Sequence, residues 1–136
     1  IPFGKANVVQ EGVDATVVCW GALVQRSVEA AKKLASEGFS IEIIDARSIA
    51  PFDLETTLNS LRKTNRLLIA HEEIKTSGFA GEICALVNEN GFELLDAPIM
   101  RVCAKDCHCA YNPDLEEEIL PHTDDVYNKL KELLNY

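Results

Sequence analysis

Three clusters in this chain have the residue types and spacing for chemistry. The run Cys103-Ala-Lys-Asp-Cys107-His108-Cys109 puts three thiols and an imidazole within seven residues. Thiolates and imidazoles are the ligands of structural zinc, which takes four of them. Cys107, His108 and Cys109 are consecutive, which hinders convergence on one ion, and the Cys-x-x-Cys of a redox motif is missing. Free thiols are the expectation, with metal binding at Cys103–Cys109 as the alternative. The second cluster, His71-Glu72-Glu73, follows a buried apolar run. As a couple, Glu72 would raise the His71 imidazole toward neutrality for proton transfer. With no nucleophile or cofactor motif beside it, the simpler expectation is that His71 bonds a neighbouring loop and closes the strand. The third, Gly78-Phe-Ala-Gly81, opens a helix, where free N–H groups and the helix dipole suit an anion. It lacks the spacing of a nucleotide fingerprint, and Glu72, Glu73 and Glu82 would repel phosphate. Close helix packing is the expected role of both glycines.

Those clusters need elements to hold them. Ala15–Trp20 is a continuous, β-branched apolar run, the pattern of a strand covered on both faces. Val24, Val28, Ala31 and Ala35 form one helical stripe, stopped by Gly38. Ile41–Asp45 is a strand, Asp53 caps a helix to about Arg62, and Arg66–Ala70 is a third buried strand. A helix from Gly78 carries Phe79, Ile83, Leu86 and Val87 on one side. Pro98–Cys103 is a further strand, and Thr123 caps a last helix with Val126, Leu130, Leu133 and Leu134 inward. Ala6–Gln10 adds an early strand, and Ala104–Pro121 reads as irregular. Buried strands alternating with helices predict an α/β domain with a largely parallel sheet and right-handed crossovers. The whole chain, 1–136, reads as one domain.

Composition limits the partners. Thirteen basic residues against 22 acidic give a formal charge of −9, and the pI is near 4.7. A nucleic-acid footprint needs clustered Lys and Arg, and anionic lipid needs a basic surface, so neither partner is expected. No apolar run approaches the ~18 residues of a membrane span. The acidic stretch Asp114–Glu118 and the pair Asp124-Asp125 fit either a basic docking partner or, for the pair, a helix N-terminus. Five cysteines, an odd number, fit a reducing compartment better than a disulfide scaffold. The expected location is the cytoplasm, or the mitochondrial matrix in a eukaryote.

Taken together, the motifs resemble a known module. Ile1-Pro-Phe-Gly-Lys-Ala6, Gln10–Thr16, Glu29-Ala-Ala, Ile43–Pro51, Lys63-Thr64 with Arg66, His71-Glu72, Gly78-Phe79 with Glu82-Ile83, Asp96-Ala-Pro98, Arg101-Val102, Asp106, Tyr111, Leu115-Glu116 and Pro121 occur in order. They resemble the C-terminal domain of the β subunit of thiamine-diphosphate-dependent 2-oxo acid dehydrogenases, in the transketolase family. The resemblance implies a three-layer α/β/α domain whose mixed five-stranded sheet has one antiparallel edge strand. It implies a fragment of a longer subunit with no complete active site. Thiamine diphosphate and magnesium would be held by other domains, and no catalytic, cofactor-binding or metal residue is carried onto these positions. The implied role is subunit association and docking of the acyltransferase component, with His71, Glu72, Gly78, Phe79, Asp106, Tyr111 and Glu116 as interface candidates. After Asp106 the family pattern has two prolines where this chain has Cys107-His-Cys-Ala110, which removes rigid turn geometry. Arg101–Cys103 and Asn135-Tyr136 lean toward the branched-chain type of enzyme, while Tyr111 and Leu115-Glu116 lean toward the pyruvate type. The same domain of a transketolase or a deoxyxylulose-phosphate synthase is an alternative, as is a stand-alone α/β protein with a metal at Cys103–Cys109.

Overall fold

The computed structural model describes all 136 residues, Ile1–Tyr136. Five strands, β1 (Asn7–Gln10), β2 (Ala15–Cys19), β3 (Ile41–Asp45), β4 (Leu67–Ile74) and β5 (Met100–Ala104), form one sheet in the order β1-β3-β2-β4-β5. Helices α1 (Ala22–Ala35), α2 (Leu54–Thr64) and α3 (Ala80–Gly91) connect β2 to β3, β3 to β4 and β4 to β5, and α4 (Pro113–Ile119) and α5 (Thr123–Leu134) follow. The pairs β2–β3, β2–β4 and β4–β5 are parallel, and β1 runs antiparallel to β3 at the edge. This is the expected three-layer α/β/α domain.

Side-chain alternation along the strands builds two cores, one on each face. Ala15, Val17 and Cys19 of β2 join Ile41, Ile43 and Leu68 under Leu23, Ala30 and Leu34 of α1 and Val126, Leu130 and Leu133 of α5. Val18, Ile44, Leu67 and Ile69 point the other way, under Leu61 of α2 and Ile83 and Val87 of α3. Each fully buried Leu, Ile or Val is worth about 1.5–3 kcal/mol, so the central strands have to be apolar on both sides. The polar residue at Thr16 is matched: its buried Oγ1 shares 2.6 Å hydrogen bonds with Ser60 Oγ and Thr64 Oγ1 of α2.

Several boundaries differ from the sequence reading. The segment read as irregular contains α4, capped by Asn112, whose side chain accepts from Asp114 N–H, with Pro113 in its first turn. None of its seven residues is buried, so it has no apolar stripe to betray it. The last helix is capped at His122, not Thr123: Asp125 accepts the His122 N–H at 2.7 Å in a capping box. β4 continues past Ala70 to Ile74, pairing Ile74 with Ala104 after a register shift. His71, Glu72 and Glu73 therefore lie within a strand.

Candidate functional site

The extension of β4 delivers His71 to the carboxyl end of the sheet and buries it completely. Its ring stacks on Trp20, the residue after β2, with centroids 5.0 Å apart and planes 13° apart. Phe79 meets Trp20 and Phe52 edge-on, each at 6.3 Å. Nδ1 accepts the Glu73 N–H at 3.1 Å, so the neutral ring carries its proton on Nε2. That nitrogen faces Cys103 Sγ at 3.5 Å. Loss of hydration by burial is the main influence on this imidazole and pushes its pKa below the ordinary histidine value. Arg101 adds to the fall, and the Glu73 carboxylate opposes it from 3.8 Å.

The alternative couple with Glu72 does not form, and His71 does not close the strand, which continues to Ile74. The Glu72 carboxylate is 4.0 Å from Arg26 of α1 and lies toward Gly21, where an added Cβ would come within 3.4 Å of Oε2. The carboxylate beside His71 belongs to Glu73, which also accepts the Phe79 N–H at 3.2 Å. Adjacent strand residues point to opposite faces, and a strand that ends later than its apolar run changes which glutamate serves the ring.

The turn after β4 is tied down by several contacts. Arg101 Nη1 donates to the Lys75 carbonyl at 3.3 Å. Asp106 accepts from Thr76 N–H at 2.9 Å and from Thr76 Oγ1 at 2.6 Å, and these bonds hold its carboxyl below the ordinary aspartate range. Gly78 presses against His71. A Cβ there would sit 2.4 Å from the Ile74 carbonyl oxygen and 2.8 Å from His71 Cε1, whereas one at Gly81 would meet nothing within 4 Å. Close packing therefore explains Gly78 but not Gly81.

Of the seven candidates, His71, Gly78 and Phe79 share this locked turn, Asp106 clasps it from the loop after β5, and Glu72 faces α1. Tyr111 and Glu116 stand apart, exposed at and beyond the entry to α4, with no hydrogen bond or ion pair to the turn. Sequence reasoning gives no contact role to Trp20 or Thr76, and it names Glu73 and Arg101 only as part of longer motifs, without these contacts. An aromatic ending a buried strand beside a glycine was the available signal for Trp20; Glu73 and Arg101 act through the register of β4 and β5, and Thr76 through the turn between β4 and α3, none of which spacing encodes.

The same geometry bears on ligands. A pyrophosphate at the start of α3 would need the Phe79 amide, which Glu73 occupies, and would face Glu73 and Glu82. Those residues do not fit the diphosphate of thiamine. The thiols do not converge either. Cys103 turns to His71, Cys107 and Cys109 are exposed, and no three His, Cys, Asp or Glu side chains are placed to hold a metal ion.

A neutral, buried histidine gives the protein a pH dependence. Its folded pKa is depressed, so between the unfolded value near ~6.5 and the lower folded one the unfolded chain binds the proton and the native chain does not. Stability then falls as pH falls through that window. In His71→Asn, whose amide oxygen can still accept the Glu73 N–H, the slope of unfolding free energy between about pH 6.5 and 5 should flatten. An unchanged slope in urea titrations would assign the dependence to other groups.

A histidine-locked turn at the carboxyl end of a mostly parallel sheet marks the α/β domain defined by this topology. The family model for the transketolase C-terminal domain matches residues 4–126, and the chain belongs to that family, as its motifs indicated. It is 44% identical over 131 residues to a mitochondrial pyruvate dehydrogenase E1 component subunit beta of Dictyostelium discoideum, covering 96% of this chain and 37% of that protein. It is 46% identical over 107 residues to a mitochondrial 2-oxoisovalerate dehydrogenase subunit beta of the same organism, covering 78% and 29%. Among solved structures, a split gene transketolase, an inactive beta4 tetramer, superposes with a TM-score of 0.85 at 26% identity, over 99% of this chain and 43% of that one. The chain thus spans well under half the length of these relatives.

Proposed function

We propose that this chain is the assembly and partner-docking domain of the β subunit of a thiamine-diphosphate-dependent 2-oxo acid dehydrogenase. In that enzyme a branched-chain 2-oxo acid or pyruvate is decarboxylated and its acyl group passes to a lipoyl arm. Support comes from relatives of both substrate types at comparable identity, 44% and 46%, which fits substrate choice being made outside this domain. Thiamine diphosphate and magnesium belong, on this reading, to the other domains and subunits. The occupied Phe79 amide and the acidic residues around it favour that division. The enzyme would work in the cytoplasm or the mitochondrial matrix, and no helix here is long and apolar enough to cross a membrane.

The observation that carries the docking role is α4. It buries none of its residues and is held to the body through the Lys105 N–H on the Ile119 carbonyl, the Lys105–Glu118 ion pair and the His122 ring on the Glu117 carbonyl. Tyr111 is wholly exposed and Leu115 is 59% exposed, among Asp114, Glu116, Glu117 and Glu118. An accessible aromatic at the entry to an acidic helix suits a small basic domain: the ring anchors, and the charges steer. The partner is the acyltransferase component's subunit-binding domain.

The test uses the assembled dehydrogenase component and that binding domain. Tyr111→Ala should weaken binding about tenfold, the ~1.4 kcal/mol of a moderate hot spot. Glu116→Lys should slow association and reduce its salt dependence. Decarboxylation should stay unchanged in both. If neither variant alters binding, docking at α4 is wrong.

A further inference from the structure

The loop after β5 carries thiols that the docking reading does not use. We propose that Cys107 and Cys109 form a reversible dithiol–disulfide pair, a redox modification site on the outside of the domain.

All five cysteines are free, and the structure separates them sharply. Cys19 is fully buried in the core, where loss of hydration pushes its thiol up to about 12. Cys84 and Cys103 are half-buried, and burial raises both of their thiols as well. Exchange chemistry runs through accessible thiolates, so these three are poor participants. Cys107 and Cys109 are exposed.

Reach is also satisfied. Two trans peptides keep the Cα atoms of residues i and i+2 within about 7 Å, and disulfides span Cα separations of roughly 4.4–6.8 Å. Closing the bond therefore asks only for a bend at His108. The fixed points of the loop lie outside the ring that would form: Asp106 on Thr76, the Cys107 N–H on the Lys105 carbonyl at 2.8 Å, and Asn112 capping α4. The backbone N–H groups of His108 and Cys109 donate to nothing within the protein, and Cys109 Sγ makes a single weak contact, 3.8 Å, to the Ala110 carbonyl. Bending this segment gives up almost nothing.

The chemistry needs an oxidant, and a low-molecular-weight disulfide such as oxidised glutathione supplies it. One cysteine thiolate attacks a glutathione sulfur, breaking that S–S bond and releasing one reduced glutathione. The second thiolate attacks the protein sulfur of the mixed disulfide, forms the Cys107–Cys109 bond and expels the second glutathione. Two electrons pass from the chain to glutathione, and the two cysteine protons end on its thiols. With one residue between the partners, closure outruns attack by a second external molecule. A ring this small is readily reduced again, which suits a thiol pair in a reducing compartment.

The experiment incubates the folded protein with excess oxidised glutathione, alkylates under denaturing conditions and reads intact and peptide masses. Three alkylated cysteines, a mass lower by two hydrogens and a bond mapped within Cys107–Cys109 are expected, all reversed by dithiothreitol. Cys109→Ser should stop at one glutathione on Cys107. Five alkylated cysteines, stable glutathione on both residues, a bond to Cys103 or a disulfide-linked dimer would each overturn the proposal.

Discussion

Gly78→Ala should lower the stability of the protein by about 2–3 kcal/mol, at the upper end of what overpacking usually costs. At roughly 3 °C per kcal/mol for a chain of this size, the thermal midpoint should fall by several degrees. The added methyl would lie 2.4 Å from the Ile74 carbonyl oxygen and 2.8 Å from His71 Cε1, and neither neighbour can yield cheaply. Ile74 is held by its pairing with Ala104. The imidazole is fixed between the Trp20 ring and the Glu73 N–H. Relief has to come from the turn itself, which would also pull Thr76 away from Asp106. Gly81→Ala is the control within the same four residues. Its methyl meets nothing within 4 Å, and alanine in place of glycine in a helix is favourable by up to ~1 kcal/mol, so α3 should be unaffected or firmer. Chemical denaturation of the two variants side by side checks the contrast. Equal losses at both sites would mean that contact with Ile74 and His71 is not what selects glycine at 78.

How much of this could be read from the chain follows from where each signal resides. Ala15–Cys19, Ile41–Asp45 and Leu67–Ala70 are covered on both faces, and such strands must be continuously apolar, so a single run of residues announces them. The stripes of α1 and α5 are equally explicit, because each helix has one buried side. Helix α4 buries nothing and is made by Asn112, Pro113 and local bonds, so hydrophobic periodicity is silent about it. The site divides the same way. His71, Gly78 and Phe79 were singled out as residue types at a strand end and a helix start, and the structure does bring them together. The contacts of their partners were not legible, because Trp20, Glu73 and Arg101 reach the site through the register of β4 and the stagger of its neighbours. A slip of one residue in where a strand ends exchanges Glu72 for Glu73. For the same reason, the tight spacing of Cys103, Cys107 and Cys109 in sequence did not mean convergence: β5 aims Cys103 at His71 while the loop carries the other two into solvent.

The Lys63-Thr64 pair at the end of α2 belongs to the motif set by which the chain resembles its family, and the structure gives both residues a physical task. Thr64 closes the hydroxyl group with Thr16 and Ser60. Lys63 reaches over the amino end of the sheet to Glu42 at 2.5 Å and Glu11 at 2.9 Å. The Glu42 side chain is only 2% exposed. Its burial pushes the carboxyl upward, but the hydrogen bonds from Lys63 and from the Gly12 N–H help outweigh that and leave it below the ordinary glutamate value. Lys63→Met keeps the bulk and removes the charge, stranding Glu42 with weaker partners. Breaking a fully buried pair costs ~3–5 kcal/mol; with Lys63 44% exposed, water screens part of the interaction, and about 2 kcal/mol at pH 7 is expected. The sign of the pH dependence makes the test sharp. In the native protein Glu42 contributes stability above the unfolded value near ~4.3, and that contribution is lost as pH falls through the lower folded value. In the variant the folded carboxyl lies above the unfolded one, so acidification relieves it. The difference between the two proteins should therefore shrink steadily from pH 7 to pH 4. Adding Glu42→Gln to the variant should recover most of the loss, whereas Glu42→Gln alone should cost less, since Lys63 retains Glu11 and water. A constant difference across that range, with no recovery in the double variant, would assign the loss to packing of the Lys63 stem and leave the Glu42 charge sustained by the Gly12 amide.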